Sequence, residues 1–204
     1  MKMTLIIIGI IVLIFIVFQI YTTMSTGKSE TQAYKVIKVE KDFEIRFYPA
    51  TTMAMITSSA KTYKALGSSG FPKLASYIFG GNKDKKQIAM TSPVHMVIGD
   101  SDASMGFVMP AAYDMNNLPL PNNSEVIIKM IPDAYVAAIT FSGFSSDEAI
   151  KKHTTLLENA LKAKGIIYSG QFSYLGYNPP YQLFGRRNEI IVTIDKSHLN
   201  DLLK

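Results

Sequence analysis

Cysteine is absent from the 204 residues of the chain. Zinc sites with thiolate ligands, iron–sulfur clusters, a cysteine nucleophile and a lipid-modified cysteine are therefore excluded. Disulfide bonds are excluded as well, but a domain of about 180 residues buries roughly 70% of its unfolded surface and folds without cross-links. The lack of cysteine says little about the cellular compartment.

Arginine is also scarce, since only three of the 21 basic residues, Arg46, Arg186 and Arg187, are arginines. The formal net charge of +5 is mild. Proteins that bind nucleic acids usually concentrate arginine and aromatic residues on one face. The sequence therefore predicts no nucleic-acid partner.

Local signatures of catalysis are missing too. The chain contains no G-x-S-x-G, H-E-x-x-H, Walker or G-x-G-x-x-G motif, so hydrolase, metalloprotease and nucleotide-binding functions lack support. His95, His153 and His198 are never spaced at i, i+4, which argues against a multi-histidine metal site. For His95 and His153 a structural role and a role as a single ligand both stay open. We predict that the chain is not an enzyme.

The chain begins with an apolar segment. Every residue of 5–18 is apolar or glycine, and residues 4–21 would form about 27 Å of helix, enough to cross a bilayer. We predict a single-pass transmembrane anchor at residues 1–21 and a linker at 22–33, with a cytoplasmic N-terminus and the domain on the outer side of the membrane. A cleaved signal peptide is the alternative.

An internal repeat with an offset of 83 residues follows the leader. Residues 43–60 align without gaps to residues 126–143, and Pro49 then matches Pro132. Each copy predicts a strand, a proline-centred turn, a second strand and a helix. Two further strands follow each helix, at 87–98 and 105–109 in the first copy and at 172–177 and 189–194 in the second.

The two predicted helices have different start signals. In the first copy, the G-S-S-G sequence at residues 67–70 breaks a helical segment, and Pro72 predicts a new helix start. In the second copy, Ser145 and Glu148 have the spacing of a capping box.

These elements predict an α+β domain at residues 34–195, followed by a C-terminal tail at 196–204. Its expected architecture is a distorted, mostly antiparallel β-barrel built from two pseudo-repeats, each contributing one helix. The seam between the repeats would offer a cleft, so a small apolar ligand is the expected partner.

Five blocks of sequence distinguish the domain. They are F-E-I-R-F-Y-P-A at 43–50, F-P-K-L-A-S-Y-I-F-G-G-N at 71–82, Q-I-A-M-T-S-P-V at 87–94, F-V-M-P with L-P-L-P at 107–121, and G-Y-N-P-P through G-R-R-N-E at 176–189. Together they resemble the SOUL heme-binding protein family over the whole domain. The resemblance implies a barrel of two repeats that binds heme or free porphyrins without catalysis.

The resemblance also implies a binding site. Similar proteins hold the tetrapyrrole against the first helix and the loop before the R-R-N-E segment. The matching positions here are Ser68, Phe71, Ala75 and Ser76 on the helix and Gln182 in the loop, and the neighbouring Tyr181 is expected to line the same cleft.

Basic residues of the site are also implied by the resemblance. Family members carry basic residues where Ser68, Ser76 and Gln182 stand, so pairing with the propionates falls to Lys73, Arg186 or Arg187. Some members have a histidine where this chain has Phe47, and no metal ligand is predicted.

A structural role for the two arginines is left open. An arginine before a strand often pairs with a carboxylate, here Glu189 or Glu44.

Two functions are favoured by the sequence, and a third, an enzyme such as a small hydrolase using Tyr63, Tyr77 or a cleft carboxylate, has no local signature to support it. The first is a membrane-tethered protein that buffers or carries heme or related tetrapyrroles. The alternative is an effector-binding or partner-binding module for another apolar ligand, because similar duplicated folds occur in gyrase-inhibitor-like sensor domains.

Overall fold

The computed structural model of the chain describes residues 2–99 and 102–195, so the predicted tail at 196–204 lies outside the described residues. Within these ranges there are three helices and nine strands. The helices are α1 (Lys2–Lys28), α2 (Tyr63–Ile78) and α3 (Asp147–Ala163). The strands are β1 (Lys35–Val39), β2 (Glu44–Tyr48), β3 (Thr51–Ser58), β4 (Val94–Ile98), β5 (Ala103–Val108), β6 (Ile127–Ile131), β7 (Ala134–Phe141), β8 (Tyr168–Gly176) and β9 (Asn188–Ile194).

The apolar leader forms α1, which is long and apolar enough to cross a membrane. A signal sequence near the N-terminus would have the same length and composition. Nearly all of its side chains are exposed, and only Gln19 and Thr22 are buried. The helix continues through residues 22–28, the first part of the segment that the sequence predicts as a linker. Polar residues such as serine and threonine are compatible with a helix end, and their hydroxyls bond to carbonyls of the preceding turn.

The nine strands form one curled antiparallel sheet in the order β1-β2-β7-β9-β8-β4-β5-β3-β6. This order confirms the predicted α+β class and the duplication. The counterparts in the two repeats are β2 and β6, β3 and β7, β4 and β8, and β5 and β9. When each strand is replaced by its counterpart, the order from β2 to β6 becomes the same order read backwards. The register agrees as well, because Ile45 pairs with Ala137 while Ala54 pairs with Ile128, positions that are related by the 83-residue offset.

At the centre of the sheet the two repeats meet through the pair β4 and β8. Its ladder runs from Val94↔Gly176 to Met96↔Tyr174. Both strands extend beyond that point, so the sheet opens on one side of the seam. The strand predicted at 87–98 is shorter than expected, since regular pairing begins only after Pro93, which has no N–H for a ladder.

The two repeat helices pack on one face of the sheet. Leu66 and Leu74 of α2 and Leu157 and Leu161 of α3 are fully buried in the main core. The opposite face carries a smaller apolar cluster, which includes Tyr48, Val136, Ala138, Leu175 and Ile191.

The start of α2 differs from the sequence prediction. The helix begins after its N-cap Thr62, whose hydroxyl accepts a hydrogen bond from the Ala65 N–H, and it continues through Pro72. Gly70 does not break the helix but packs against β3, where an added Cβ would lie 2.5 Å from Cδ1 of Ile56. The glycine therefore permits a close approach of helix and sheet rather than a helix end.

Candidate functional site

The predicted helix positions share one side of α2. Ser68, Phe71 and Ala75 are spaced at i, i+3 and i+7, which aligns them on a single helical face, and Ser76 lies beside them. Phe71 is 41% exposed, although the edge of its ring meets Phe107 of β5 at 5.2 Å between centroids. Ser68 and Ser76 are exposed and Ala75 is partly buried. This face offers an accessible aromatic ring surrounded by small side chains.

The predicted loop positions lie in the β8–β9 loop, residues 177–187. Gln182 is only 1% exposed. Its side-chain carbonyl accepts a hydrogen bond from the Thr26 hydroxyl of α1 at 2.9 Å, and its amide donates to the Phe184 carbonyl at 2.8 Å. Tyr181 is exposed and its ring lies 6.0 Å from that of Phe18. The loop is therefore held against the C-terminal end of α1.

Arg186 stabilises the same loop from within. Its Nη1 donates to the carbonyls of Pro179 and Gln182 at 2.8 and 2.7 Å. Its guanidinium also lies over the ring of Phe144 at 4.5 Å. The structure thus brings Tyr181, Gln182 and Arg186 together, and in the described chain no hydrogen bond or ring contact joins them to the predicted α2 positions.

Arg187 takes part in a buried ion-pair network on the sheet face opposite the helices. Its Nη2 lies 2.7 Å from Oε1 of Glu189 and donates to the Tyr34 hydroxyl at 2.9 Å. Arg46 also binds Glu189, at 2.9 Å, and Glu44 at 2.7 Å. The structural role left open for an arginine before a strand therefore applies to Arg187.

Glu189 is the centre of this network. The carboxylate is fully buried and also accepts hydrogen bonds from the hydroxyls of Tyr177 and Thr140. Burial alone would raise its pKa, but the hydrogen bonds and charges of Arg46 and Arg187 outweigh burial and hold the pKa below its usual value. The glutamate is therefore ionised at neutral pH and has a structural role as the partner of both arginines.

A cleft lies at the seam between the two repeats, as the duplication predicts. Its volume is about 660 Å³, within the range of roughly 300 to 1,000 Å³ that is typical of small-molecule sites. We call it the seam cleft, and it is lined by Lys61, Tyr63, Met96, Ile98, Gly99, Asp147, Ile150, Lys151, Thr154, Phe172, Tyr174 and Ile190.

None of the residues that the sequence predicted for the site lines the seam cleft. The sequence feature that could have located the seam cleft is the pair of predicted helix starts, because the first turns of α2 and α3 both border the cleft. The predicted helix start at Pro72 lies nine residues after the observed start of α2 at Tyr63, so the first turn of α2 was not part of the predicted binding site.

The chemistry of the seam cleft is apolar with polar edges. Phe172, Ile98 and Met96 form apolar walls, and Tyr63 meets Tyr174 edge to face at 4.7 Å between centroids. Burial raises the pKa of Tyr174, which keeps its hydroxyl protonated.

Charge at the rim of the cleft comes from both helix starts. The first N–H of α2, that of Tyr63, donates to the Asp147 carboxylate in the first turn of α3. Lys61, Lys151 and the Asp147 carboxylate therefore give the rim charges of both signs.

The described histidines are both engaged. His95 bonds through Nε2 to the Gln32 side chain at 2.7 Å, on the sheet face away from the helices. His153 stacks on Phe141 at 3.9 Å, and its Nδ1 donates to the Ala149 carbonyl at 2.7 Å. In the described residues, no group of three or more histidine and acidic side chains could hold a metal ion.

The family of the chain follows from comparison with known proteins. Residues 29–193 match the SOUL heme-binding protein family, so the chain belongs to that family. A mouse (Mus musculus) protein named Heme-binding protein 2 is 31% identical over 156 residues, which cover 72% of this chain and 76% of the mouse protein. Heme-binding protein 1 of Xenopus laevis is 25% identical over 174 residues, 80% of this chain and 91% of that protein.

Solved structures show that the fold is shared more widely. The C-terminal domain of EcmrR has a TM-score of 0.61 at 9% identity and covers 80% of this chain and 98% of that domain. A hydrolase from Listeria innocua has a TM-score of 0.53 at 8% identity, with 78% and 94% coverage. At these identities the likeness concerns the fold alone.

Proposed function

We propose that this protein binds heme or a related tetrapyrrole as a non-catalytic buffer or carrier and is anchored in the membrane by α1. Membership of the SOUL family carries the proposal, because the match covers residues 29–193, which include both repeat helices and all of the sheet except the last residue of β9. Relatives of both kinds, Heme-binding proteins 1 and 2, are named for this ligand.

The α2 face fits the apolar part of such a ligand. Phe71 and Ala75 offer a surface on which a flat ring can stack, and Lys73 stands on the same helix with its ammonium 2.6 Å from Glu125. Arg186 and Lys73 are the basic residues proposed to meet the propionates. Heme supplies an iron that can accept an axial ligand. The chain's own contribution is contact and orientation.

Anchoring gives the protein a defined place in the cell. We place the N-terminus in the cytoplasm and the domain on the outer side of the membrane, the orientation of a signal anchor. Lys2 is the only charged residue before the span, and Lys28 is the first one after it.

Hemin titration of the purified full chain in mild detergent tests the heme proposal. We expect a shifted Soret band and quenching of tyrosine fluorescence at micromolar hemin. Phe71→Ala should weaken binding about tenfold, since burying a phenylalanine contributes roughly 1.5 to 3 kcal/mol. Leu120→Ala, another exposed apolar side chain, serves as the control and should leave the affinity unchanged. Absence of any spectral change at micromolar hemin would contradict the proposal.

The seam cleft supports a second candidate function, the binding of a different apolar ligand that acts as an effector. The supporting observation is a cavity of about 660 Å³ that is lined by none of the predicted heme positions. The first turns of both repeat helices border this cavity, so a ligand bound there would contact both halves of the domain.

Filling the seam cleft separates the two candidates. Ile150→Trp places a large side chain in the cleft and leaves the α2 face untouched. If the cleft binds another ligand, native mass spectrometry should show a bound small molecule that is lost in Ile150→Trp, while hemin affinity stays unchanged. If Ile150→Trp instead weakens hemin binding and Phe71→Ala does not, the cleft is the tetrapyrrole site. A purified chain with no bound molecule in both forms counts against the effector function.

A further inference from the structure

The C-terminal end of α1 is fixed to the domain by a two-point contact. The Gln19 side-chain amide donates to the Tyr181 carbonyl at 3.1 Å, and its oxygen accepts from the Leu183 N–H at 3.0 Å. Gln19 and Thr22 are each only 5% exposed, although the other side chains of α1 are almost all exposed. The Thr26 hydroxyl adds a third bond, to Gln182. The helix therefore meets the β8–β9 loop in a defined orientation.

No spacer separates this helix from the domain. After α1 ends at Lys28, the Gln32 N–H donates to the Ser92 carbonyl, and the Ser92 N–H donates to the Glu30 carbonyl, both at 2.8 Å. The chain therefore joins the domain within four residues of the helix end. Movement of the domain relative to α1 is restricted at two separate points, the β8–β9 loop and Ser92.

The depth of these contacts follows from the position of Gln19. The apolar stretch spans residues 4–21, about 27 Å of helix, so Gln19 lies in the last turn of a span. A glutamine amide in that position is costly unless it is hydrogen-bonded. The backbone groups of Tyr181 and Leu183 satisfy it, and Gln19 in turn satisfies them. Backbone polar groups at membrane depth need such partners.

The side chains around this contact suit a lipid interface. Tyr181, Leu183, Phe184 and Phe144 are all exposed, and Phe184 is 67% exposed. The Arg186 guanidinium lies over the Phe144 ring. Aromatic rings and snorkelling basic side chains are typical of the boundary between bilayer and water.

We infer that the β8–β9 loop is seated in the bilayer interface beside α1, so that the domain rests on the membrane surface. The partner of this surface is the lipid bilayer itself. The inference rests on the proposed anchoring by α1. It adds that the loop predicted to contact a tetrapyrrole faces lipid rather than bulk water, so that an apolar ligand could pass between bilayer and site.

Spin labels on the full chain in phosphatidylcholine and phosphatidylglycerol liposomes test this seating. Because the chain has no cysteine, one label is placed through each of Ile11→Cys in mid-span, Phe184→Cys in the loop and Ile167→Cys. Ile167 is a matched control, since it is exposed and precedes the nine-residue strand β8, about 30 Å from the loop. Collision rates with oxygen, which concentrates in lipid, and with a water-soluble nickel chelate are compared for each label.

We expect the label at 184 to be at least threefold less accessible to the nickel chelate than the label at 167, with oxygen accessibility between those at 167 and 11. Gln19→Leu, which removes both bonds to the loop, should raise nickel accessibility at 184 at least twofold. Equal values at 184 and 167, with position 11 in lipid, would overturn the seating while leaving the anchor intact. Water-like values at position 11 would overturn the anchor, and the seating with it.

Discussion

Replacing Glu189 by glutamine is expected to lower the free energy of unfolding by about 3 kcal/mol, because breaking a buried ion pair leaves an uncompensated charge. Arg46 is 2% exposed and would lose its contact with the one fully buried carboxylate of the network. Its remaining partner, Glu44, is one-third exposed and lies in a more polar environment. The expected loss is therefore at the lower end of the usual 3 to 5 kcal/mol for such pairs.

Urea unfolding of the full chain in mild detergent measures this loss. Far-UV circular dichroism and tyrosine fluorescence are suitable probes, since the chain has no tryptophan. Glu125→Gln is the control, because its ion pair with Lys73 is exposed and such pairs contribute little. Equal unfolding midpoints for the two variants would show that the buried network does not stabilise the fold.

Mild acid is expected to destabilise the domain through His95. Burial lowers the pKa of His95 to about 4, whereas an unfolded histidine titrates near 6.5. The folded state therefore keeps a neutral imidazole where the unfolded state gains a proton. Stability is full above pH 6.5 and falls as the pH drops toward 4, by about 2 kcal/mol at pH 5.

His95→Gln separates this contribution from that of the other titrating groups. Glutamine can still bond to Gln32 but does not titrate, so the variant should lose about 2 kcal/mol less than the original protein between pH 7 and pH 5. Glu189, whose pKa is lowered, loses its contribution only below its ordinary pKa near 4.5. Parallel stability profiles of the two proteins above pH 5 would refute the assignment to His95.

The sequence predicted the architecture because a gapless repeat carries topological information. The 83-residue offset predicted two equivalent units, and the strand order and register confirm them. Strand β1 was not predicted, because residues 35–39 form an edge strand whose side chains are mostly exposed. An edge strand lacks the buried face that gives strands a clear pattern.

Sequence signals for helix starts and breaks were less accurate where tertiary packing determines the extent of a helix. The glycines at 67 and 70 are typical of a helix break, yet both lie within α2. Gly70 fits there because the helix packs closely against Ile56. In α3 the capping signal was close to correct, since the N-cap is Ser146 rather than Ser145.

The candidate site depended on information that no local pattern contains. The sequence gives no hint that Gln19 and Leu183, which are 164 residues apart, form a hydrogen bond. It likewise does not reveal that Arg187 faces away from the helices. The hydrogen bond and the orientation of Arg187 depend on the curvature of the sheet and on the end of the sheet against which α1 packs.

The reversed symmetry of the strand order also bears on how such a domain could have arisen. Strand β2 of the first repeat pairs with β7 of the second, and β6 of the second pairs with β3 of the first. A chain with one repeat alone would leave these edges unpaired and prone to association. Two such chains could satisfy each other by exchanging their first strands around a twofold axis. The sheet has the arrangement of a strand-swapped homodimer whose two subunits are joined in one polypeptide.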